Sequence, residues 1–406
     1  MKSKPDFILI ILFILLTAVG WISIFFTKYQ GDFTMDSSYG MQLIWIASLL
    51  LIGLFIYVIN HRFYYNFSAY IYLIFNVLIL LVFFFGVERS GAKSWIGIGG
   101  FGIQPAEFAK YATCLLLARY VSQHACDLTK WKHVLSASII ILIPTALILL
   151  QNDTGTAIPF LFLLFALFRE GLTPWILIIG FVAILLFILL IYISKSLILT
   201  VLAVLFLITL IYFLKKRIKI WRMLFLYLCA IGFVLVVDTA YHTVLQEHQR
   251  KRIDLLFGKI DDPKGIGYNV NQAKIAIGSG GLQGKGFGKG TQTKLNFVPE
   301  QSTDFIFCTI GEEHGFIGTS LVILIYSFLI GRIILLSERS NNTFVRSYGY
   351  GIACIFFGHI VINIGMTIGL MPVIGIPLPF ISYGGSSLWA FTLMLFTFIN
   401  LHGKTG

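Results

Sequence analysis

Long apolar runs separated by short polar breaks fill most of this chain. A helix needs about 20 apolar residues to cross the hydrocarbon core of a bilayer. Runs near that length cover 7–27, 41–59, 67–87, 105–121, 133–151, 155–169, 173–193, 196–214, 221–240, 308–336, 348–370 and 385–401, with 155–169 and 385–401 marginal. The pattern predicts an all-α polytopic membrane protein with about 10–12 transmembrane helices. An outer-membrane barrel would instead show strands of about ten alternating residues. The first run reads as a retained span, because no small-residue cleavage site follows Phe26.

Charge orients the spans. Lys2, Lys4, His61, Arg62, Lys130, Lys132, the run from Lys215 to Lys219, and Arg339 all fall on one side when the spans are counted alternately. The positive-inside rule then predicts cytoplasmic termini and an outer position for segments 88–104, 151–155, 241–307 and 371–384. Segment 241–307 is a large extracytoplasmic loop, rich enough in apolar residues to be ordered. Its amphipathic stretch 271–277 is expected to lie on the membrane surface. The hairpin at 196–240 looks like an addition to one transmembrane domain spanning 1–406.

Composition agrees with a lipid environment. The 406 residues are 58% hydrophobic and 12% charged, against about 25% charged in an average soluble protein. The net charge of +12 does not point to nucleic acid. The basic residues sit in loops, where they orient helices and attract lipid phosphates. Five cysteines show no zinc or disulfide spacing and read as small packing residues.

The polar breaks carry the candidate chemistry. Asp304 ends the Gly-rich segment just before an apolar run, and a carboxylate at that depth is costly unless it is paired or used. After Gln104, Pro105 suits the first turn of a helix, and Glu107 and Lys110 are then i,i+3 neighbours. They form either a self-neutralising pair or one wall of a cavity that offers Lys110 to a phosphate; the second reading is favoured because both groups lie in the membrane. Asp153 belongs to a plain turn or lines the same cavity. The run from Gly278 to Gly290 matches neither dinucleotide nor P-loop spacing. It is a flexible linker or, with Lys285, Lys289 and Lys294, an anion cradle. Pro372, Pro377 and Pro379 forbid a continuous helix after Gly369, so the run through Ser382 should cap or line an outer vestibule.

Together these segments resemble the SEDS family (shape, elongation, division and sporulation proteins, typified by RodA and FtsW). The resemblance covers nearly the whole chain. It is carried by Gly91 to Trp95, Gln104-Pro105-Ala106-Glu107 with Lys110, Asp153-Thr154-Gly155-Thr156 and Tyr268 to Gly284. Pro299-Glu300 with Thr303-Asp304-Phe305, Gly311-Glu312-Glu313 and Pro372 through Ser387 complete it. The run from Phe297 to Gln301 looks more like the elongation branch, RodA, than the division branch. The resemblance implies a peptidoglycan glycosyltransferase that polymerises lipid II, an undecaprenyl-diphosphate-linked disaccharide peptide, at the outer face of the bacterial cytoplasmic membrane. It implies as partners a class B penicillin-binding protein transpeptidase and the elongation machinery. The family's catalytic Asp falls on Asp304, and its functional Glu and Lys fall on Glu107 and Lys110. Ser302 stands where His is common, Ser94 where Arg is frequent, and His314 where an apolar residue is usual. The family has about ten spans, so the surplus falls on the hairpin at 196–240.

A sugar hydroxyl must attack an anomeric carbon whose leaving group is a lipid diphosphate. One carboxylate suffices as general base, with cations on the diphosphate. A half-buried Asp304 is a better base than one in bulk water. Lys110, Lys289 and Arg252 are the expected diphosphate contacts, with Gln104, Asp153, Glu300, Thr303 and Ser382 lining the substrate site. A divalent cation such as Mg2+ is compatible with this chemistry, but no cluster has the ligand count of a dedicated metal cage. Two other functions fit many spans with polar groups: a lipid II flippase, and a non-catalytic scaffold for the penicillin-binding protein.

Overall fold

The computed structural model describes residues 6–405 apart from 30, 32, 90–91, 99–100, 124–125, 217–219, 245–246, 261, 263–264 and 266. Lys2, Lys4, Gly91, Arg217 and Lys219 lie outside the described residues.

Polar breaks double as helix caps. Asp6 caps α1 (Phe7–Lys28), Ser37 caps α2 (Ser38–Val58) and Asn60 caps α3 (His61–Phe85), each accepting a first-turn N–H. A three-stranded antiparallel sheet follows: β1 (Val87–Arg89), β2 (Ala92–Ile98) and β3 (Phe101–Ile103). It went unread in the sequence because its strands are short and glycine-broken. Pro105 opens α4 (Pro105–Val121). Then come α5 (Trp131–Leu150), α6 (Thr154–Ala157), a 3₁₀ turn (Ile158–Phe162) and α7 (Leu163–Arg169). The next four helices are α8 (Pro174–Tyr192), α9 (Lys195–Lys216), α10 (Trp221–Thr239) and α11 (Glu247–Leu256). The chain ends with α12 (Tyr268–Gly280), α13 (Thr291–Lys294), α14 (Ile306–Arg339), α15 (Thr343–Thr367) and α16 (Gly385–Thr405). Gly315, at φ +62°, breaks α14 near its start.

Among the described residues nine helices are long and apolar enough to cross a membrane: α1, α2, α3, α5, α8, α9, α10, α14 and α15. The other three expected spans are helical but different in kind. α4 has 17 residues, nearly all buried. Run 155–169 is divided among α6, the 3₁₀ turn with Pro159, and α7. α16 buries Ser386, Thr392, Thr397 and Asn400. Hydropathy reports contact with lipid, and a helix surrounded by protein is free to use small and polar residues.

By its internal contacts the chain divides into two compact units. One comprises the residues up to Leu172 and those from Asn269 onward; the other is Thr173–Tyr268. The second unit holds α9 and α10 together with α8 and α11, so it is wider than the hairpin 196–240. Within it Lys195 and Asp238 pair at 2.8 Å. Its apolar side chains, such as Trp175, Ile179 and Phe181, are exposed, as lipid contact requires.

In the first unit α3 and α15 pack on α4, α14 on α15, and α2 on α16. Segment 271–277 lies in α12, and its buried residues Ala273 and Ala276, with Val270, pack with Phe305 and Cys308. That face meets protein, because small residues permit close approach, while Lys274 and Ile275 on the same helix are exposed. A Cβ on Gly280 would stand 2.0 Å from the carbonyl oxygen of Gly311. Gly280→Ala should therefore cost about 1–3 kcal/mol through overpacking. A lowered unfolding temperature in detergent is the expected reading, and an unchanged one would mean that this contact is not tight.

Candidate functional site

The segment between α15 and α16 has no regular structure. Prolines 372, 377 and 379 remove donors and block helix, so its backbone polar groups must be satisfied by other parts of the protein. Asn363 Nδ2 donates to the carbonyls of Asp304 (2.8 Å) and Ile376 (2.6 Å). Ser382 Oγ donates to Thr303 O at 2.6 Å and accepts from Leu378 N at 2.8 Å. Tyr383 N donates to Ser302 O at 2.8 Å, and Tyr326 OH donates to Pro379 O at 2.5 Å. These bonds stitch the segment to the turn that carries Asp304. The Asp304 side chain is half-buried. Its Oδ2 lies against Gly375, where φ is +71° and a Cβ would stand 3.0 Å from that oxygen.

The 151–156 turn meets the same segment. A Cβ on Gly155 would stand 2.5 Å from Ile374 O and 3.0 Å from Gly375 O. Asp153 caps α6 by accepting from Thr156 N at 3.0 Å. Its other oxygen accepts from Gln104 Nε2 at 2.7 Å, and that nitrogen also donates to Thr156 Oγ1 at 3.1 Å. Gln104 N donates to Ser386 Oγ at 3.2 Å, and Ser386 donates to Gly102 O at 3.2 Å. Gln104, Asp153, Thr303, Asp304 and Ser382, far apart in sequence, are thus joined through one irregular strip of backbone.

Glu107 and Lys110 are joined to the strip differently from the favoured expectation. The Lys110 ammonium is 0% exposed and donates to Glu107 Oε1 at 2.8 Å and to His359 Nε2 at 2.8 Å. His359 Nδ1 lies 3.0 Å from Pro377 O. A carbonyl only accepts, so Nδ1 carries the proton and Nε2 receives the ammonium. Lys110 therefore has no face to offer a phosphate in this conformation. In this conformation the pair is closed on itself and reaches the strip through His359.

The glycine loop is not a free linker. Buried Glu312 accepts at Oε1 from Lys285 Nζ (2.7 Å) and Gln292 N (2.9 Å), and at Oε2 from Thr293 N (2.9 Å) and Thr293 Oγ1 (2.8 Å). Glu313 Oε1 accepts from Gly288 N at 3.0 Å. A Cβ on Gly284, at φ +79°, would stand 2.1 Å from Glu313 O, so only glycine fits there. Glu312 belongs to the Gly311-Glu312-Glu313 run that carries the resemblance. Two adjacent carboxylates in an apolar run raise the question that Asp304 raised. Lys285 is committed to Glu312, while Lys289 is exposed. Glu300 holds a turn at φ +54° and accepts from Thr303 Oγ1 at 2.8 Å. Lys274, also exposed, lies against Gly369, the start of the irregular segment. Arg252 is on α11, in the second unit. Among the described residues no three His, Cys, Asp or Glu side chains gather around a metal position. Glu312→Ala should leave Lys285 and two backbone N–H groups without their acceptor, at a cost of about 1–3 kcal/mol. Limited proteolysis should then cut within 285–294 faster than in the parent, and equal rates would refute the fastening.

The family model described as cell cycle protein, grouping FtsW, RodA and SpoVE, matches residues 6–200 and 172–405. Peptidoglycan glycosyltransferase MrdB of Escherichia coli strain K12 is 34% identical over 349 residues, 84% of this chain and 80% of its own length. Peptidoglycan glycosyltransferase RodA of Treponema pallidum is 31% identical over 423 residues, 95% of each chain. A chain from a solved peptidoglycan synthase complex shares the fold over 98% of both chains, with TM-score 0.70 at 24% identity. The resemblance expected from the motifs therefore holds, and this multi-pass membrane protein belongs to the FtsW/RodA/SpoVE family.

Proposed function

We infer that this chain is a peptidoglycan glycosyltransferase that polymerises lipid II, with Asp304 as general base. Its family membership supports the activity. The observation that carries the residue assignment is the half-buried Asp304 carboxylate lying against the bare backbone of Gly375, where the outer segments converge. In the reaction a sugar hydroxyl oxygen bonds to the anomeric carbon and its proton passes to Asp304. The carbon–oxygen bond to the lipid diphosphate breaks, and the electron pair leaves with the phosphate. Gly375 offers no side chain to block a sugar from that carboxylate. Gln104 and Asp153 brace one side of the strip, while Ser382 and Thr303 hold the other.

Lys289, exposed on a loop held down by Glu312 and Glu313, is the first choice for diphosphate contact, with Arg252 a further candidate; Glu300, beside the Asp304 turn, would line the substrate site. A divalent cation such as Mg2+ would come with the diphosphate, since Mg2+ binds through one or two carboxylates plus substrate phosphates. The positive-inside pattern supports cytoplasmic termini and an outward-facing Asp304. The synthase complex whose chain shares this fold couples polymerization with crosslinking. That supports a class B penicillin-binding protein transpeptidase as partner, within the elongation machinery.

Asp304→Asn should lower lipid II polymerisation by about 10²–10⁴-fold while leaving folding and lipid II binding intact. Full activity in that variant would remove Asp304 from the chemistry, and transport of lipid II without polymer by the parent would make the chain a flippase. In a background without Cys126 and Cys229, a membrane-impermeant maleimide should label Lys289→Cys in intact cells. It should label Asn341→Cys only after the envelope is opened, and the reverse pattern would invert the orientation.

A further inference from the structure

A polar cavity lies at the far end of the first unit from Asp304. It has a volume of about 720 Å³ and is lined by His61, Arg62, Asn66, Ser122, Asn341 and Asn342, among others. Helix geometry sets its distance from the reaction site. Asn342 caps the start of α15, and Asn363 on the same helix bonds to Asp304. Those 20 or so intervening residues span roughly 30 Å. α4 likewise runs from Gln104, in the site, to Ser122, in the cavity.

The lining is built for an anion. It includes His61 and Arg62 and no carboxylate. Besides Arg62, two cations border it, Arg119 and Lys404. Arg119 donates to Asn66 O at 3.1 Å and sits 5.3 Å from the centre of the Tyr65 ring. Lys404 donates to Tyr57 O at 3.0 Å and Ile59 O at 2.7 Å, just before His61. The orientation of the Asn342 amide follows from its capping role. Its Oδ1 accepts from Phe344 N at 2.9 Å, so the amide presents its N–H₂ end as a donor.

The surroundings point to the source of the anion. Tyr57, Phe63, Tyr65 and Phe67 are exposed around the same helix ends. Tyrosines such as Tyr57 and Tyr65 occupy the headgroup level of a bilayer, and basic pockets between helices at that level bind acidic lipid headgroups. The volume falls within the ~300–1,000 Å³ of ligand pockets. We propose that this cavity binds the phosphodiester headgroup of an anionic phospholipid, in the leaflet opposite the one that Asp304 faces. The site is separate from the glycosyl transfer chemistry and does not depend on the role of Asp304.

The test uses the full chain in detergent, followed by native mass spectrometry with phosphatidylglycerol or phosphatidylcholine added. Phosphatidylglycerol should be retained in preference to phosphatidylcholine. Arg62→Gln should weaken that retention ~5-fold, and Arg62→Lys should keep most of it, as expected for one charge near a lipid phosphate. Arg62 is exposed, and an unfolding curve for each variant verifies that the fold is kept. Equal retention of the two lipids, or no change in Arg62→Gln, would overturn the proposal. Displacement of phosphatidylglycerol by millimolar inorganic phosphate would also overturn it, by making free phosphate the ligand.

Discussion

Asn363 holds two carbonyls with one amide nitrogen, that of Asp304 and that of Ile376. Much else depends on that pair of bonds. The segment that follows α15 is proline-broken and cannot satisfy its own backbone. Unpaired carbonyls inside a membrane protein cost free energy comparable to several hydrogen bonds. Asn363 and Tyr326 supply missing donors from side chains on neighbouring helices, while Ser382, within the segment, accepts from Leu378 N and donates to Thr303 O. The same bonds set the position of the Asp304 main chain, so satisfying the backbone and placing the carboxylate are one structural act.

Buried charge follows a similar economy. Glu107, Lys110 and His359 form a hydrogen-bonded row that ends on Pro377, within the irregular segment. Burying an ion pair brings a desolvation penalty that good geometry and extra hydrogen bonds must offset. Here the extra partner is an imidazole whose tautomer is set by a carbonyl. The row ties α4 and α15 to the segment beside Asp304. Glu312 does the corresponding work for the glycine loop, taking Lys285 and the first turn of α13. A loop of many glycines gains a defined shape because one buried carboxylate accepts several of its donors.

Part of this was legible from residues alone. Asp304 stood out because a carboxylate beside an apolar run demands a reason, and the prolines 372, 377 and 379 announced a broken segment. Glu107 and Lys110 were legible as neighbours through their spacing. Their common burial against His359 was not, since His359 lies in the middle of an otherwise unremarkable apolar helix, 249 positions from Lys110. Helices α4 and α16 carry charged or polar residues that protein surrounds, and they stand apart from the nine clear spans.

The order of apolar runs and polar breaks, by itself, determined that this is a helical membrane protein and where its backbone must turn. Those properties follow from local chemistry: chain length against bilayer thickness, proline without a donor, a charge next to lipid. Only the tertiary structure decided that Gly155 touches the backbone before Gly375, that Gly375 faces Asp304, and that Lys110 is turned inward while Lys289 is exposed. Close approach and burial depend on which helices pack together, and no local pattern along the chain carries that information.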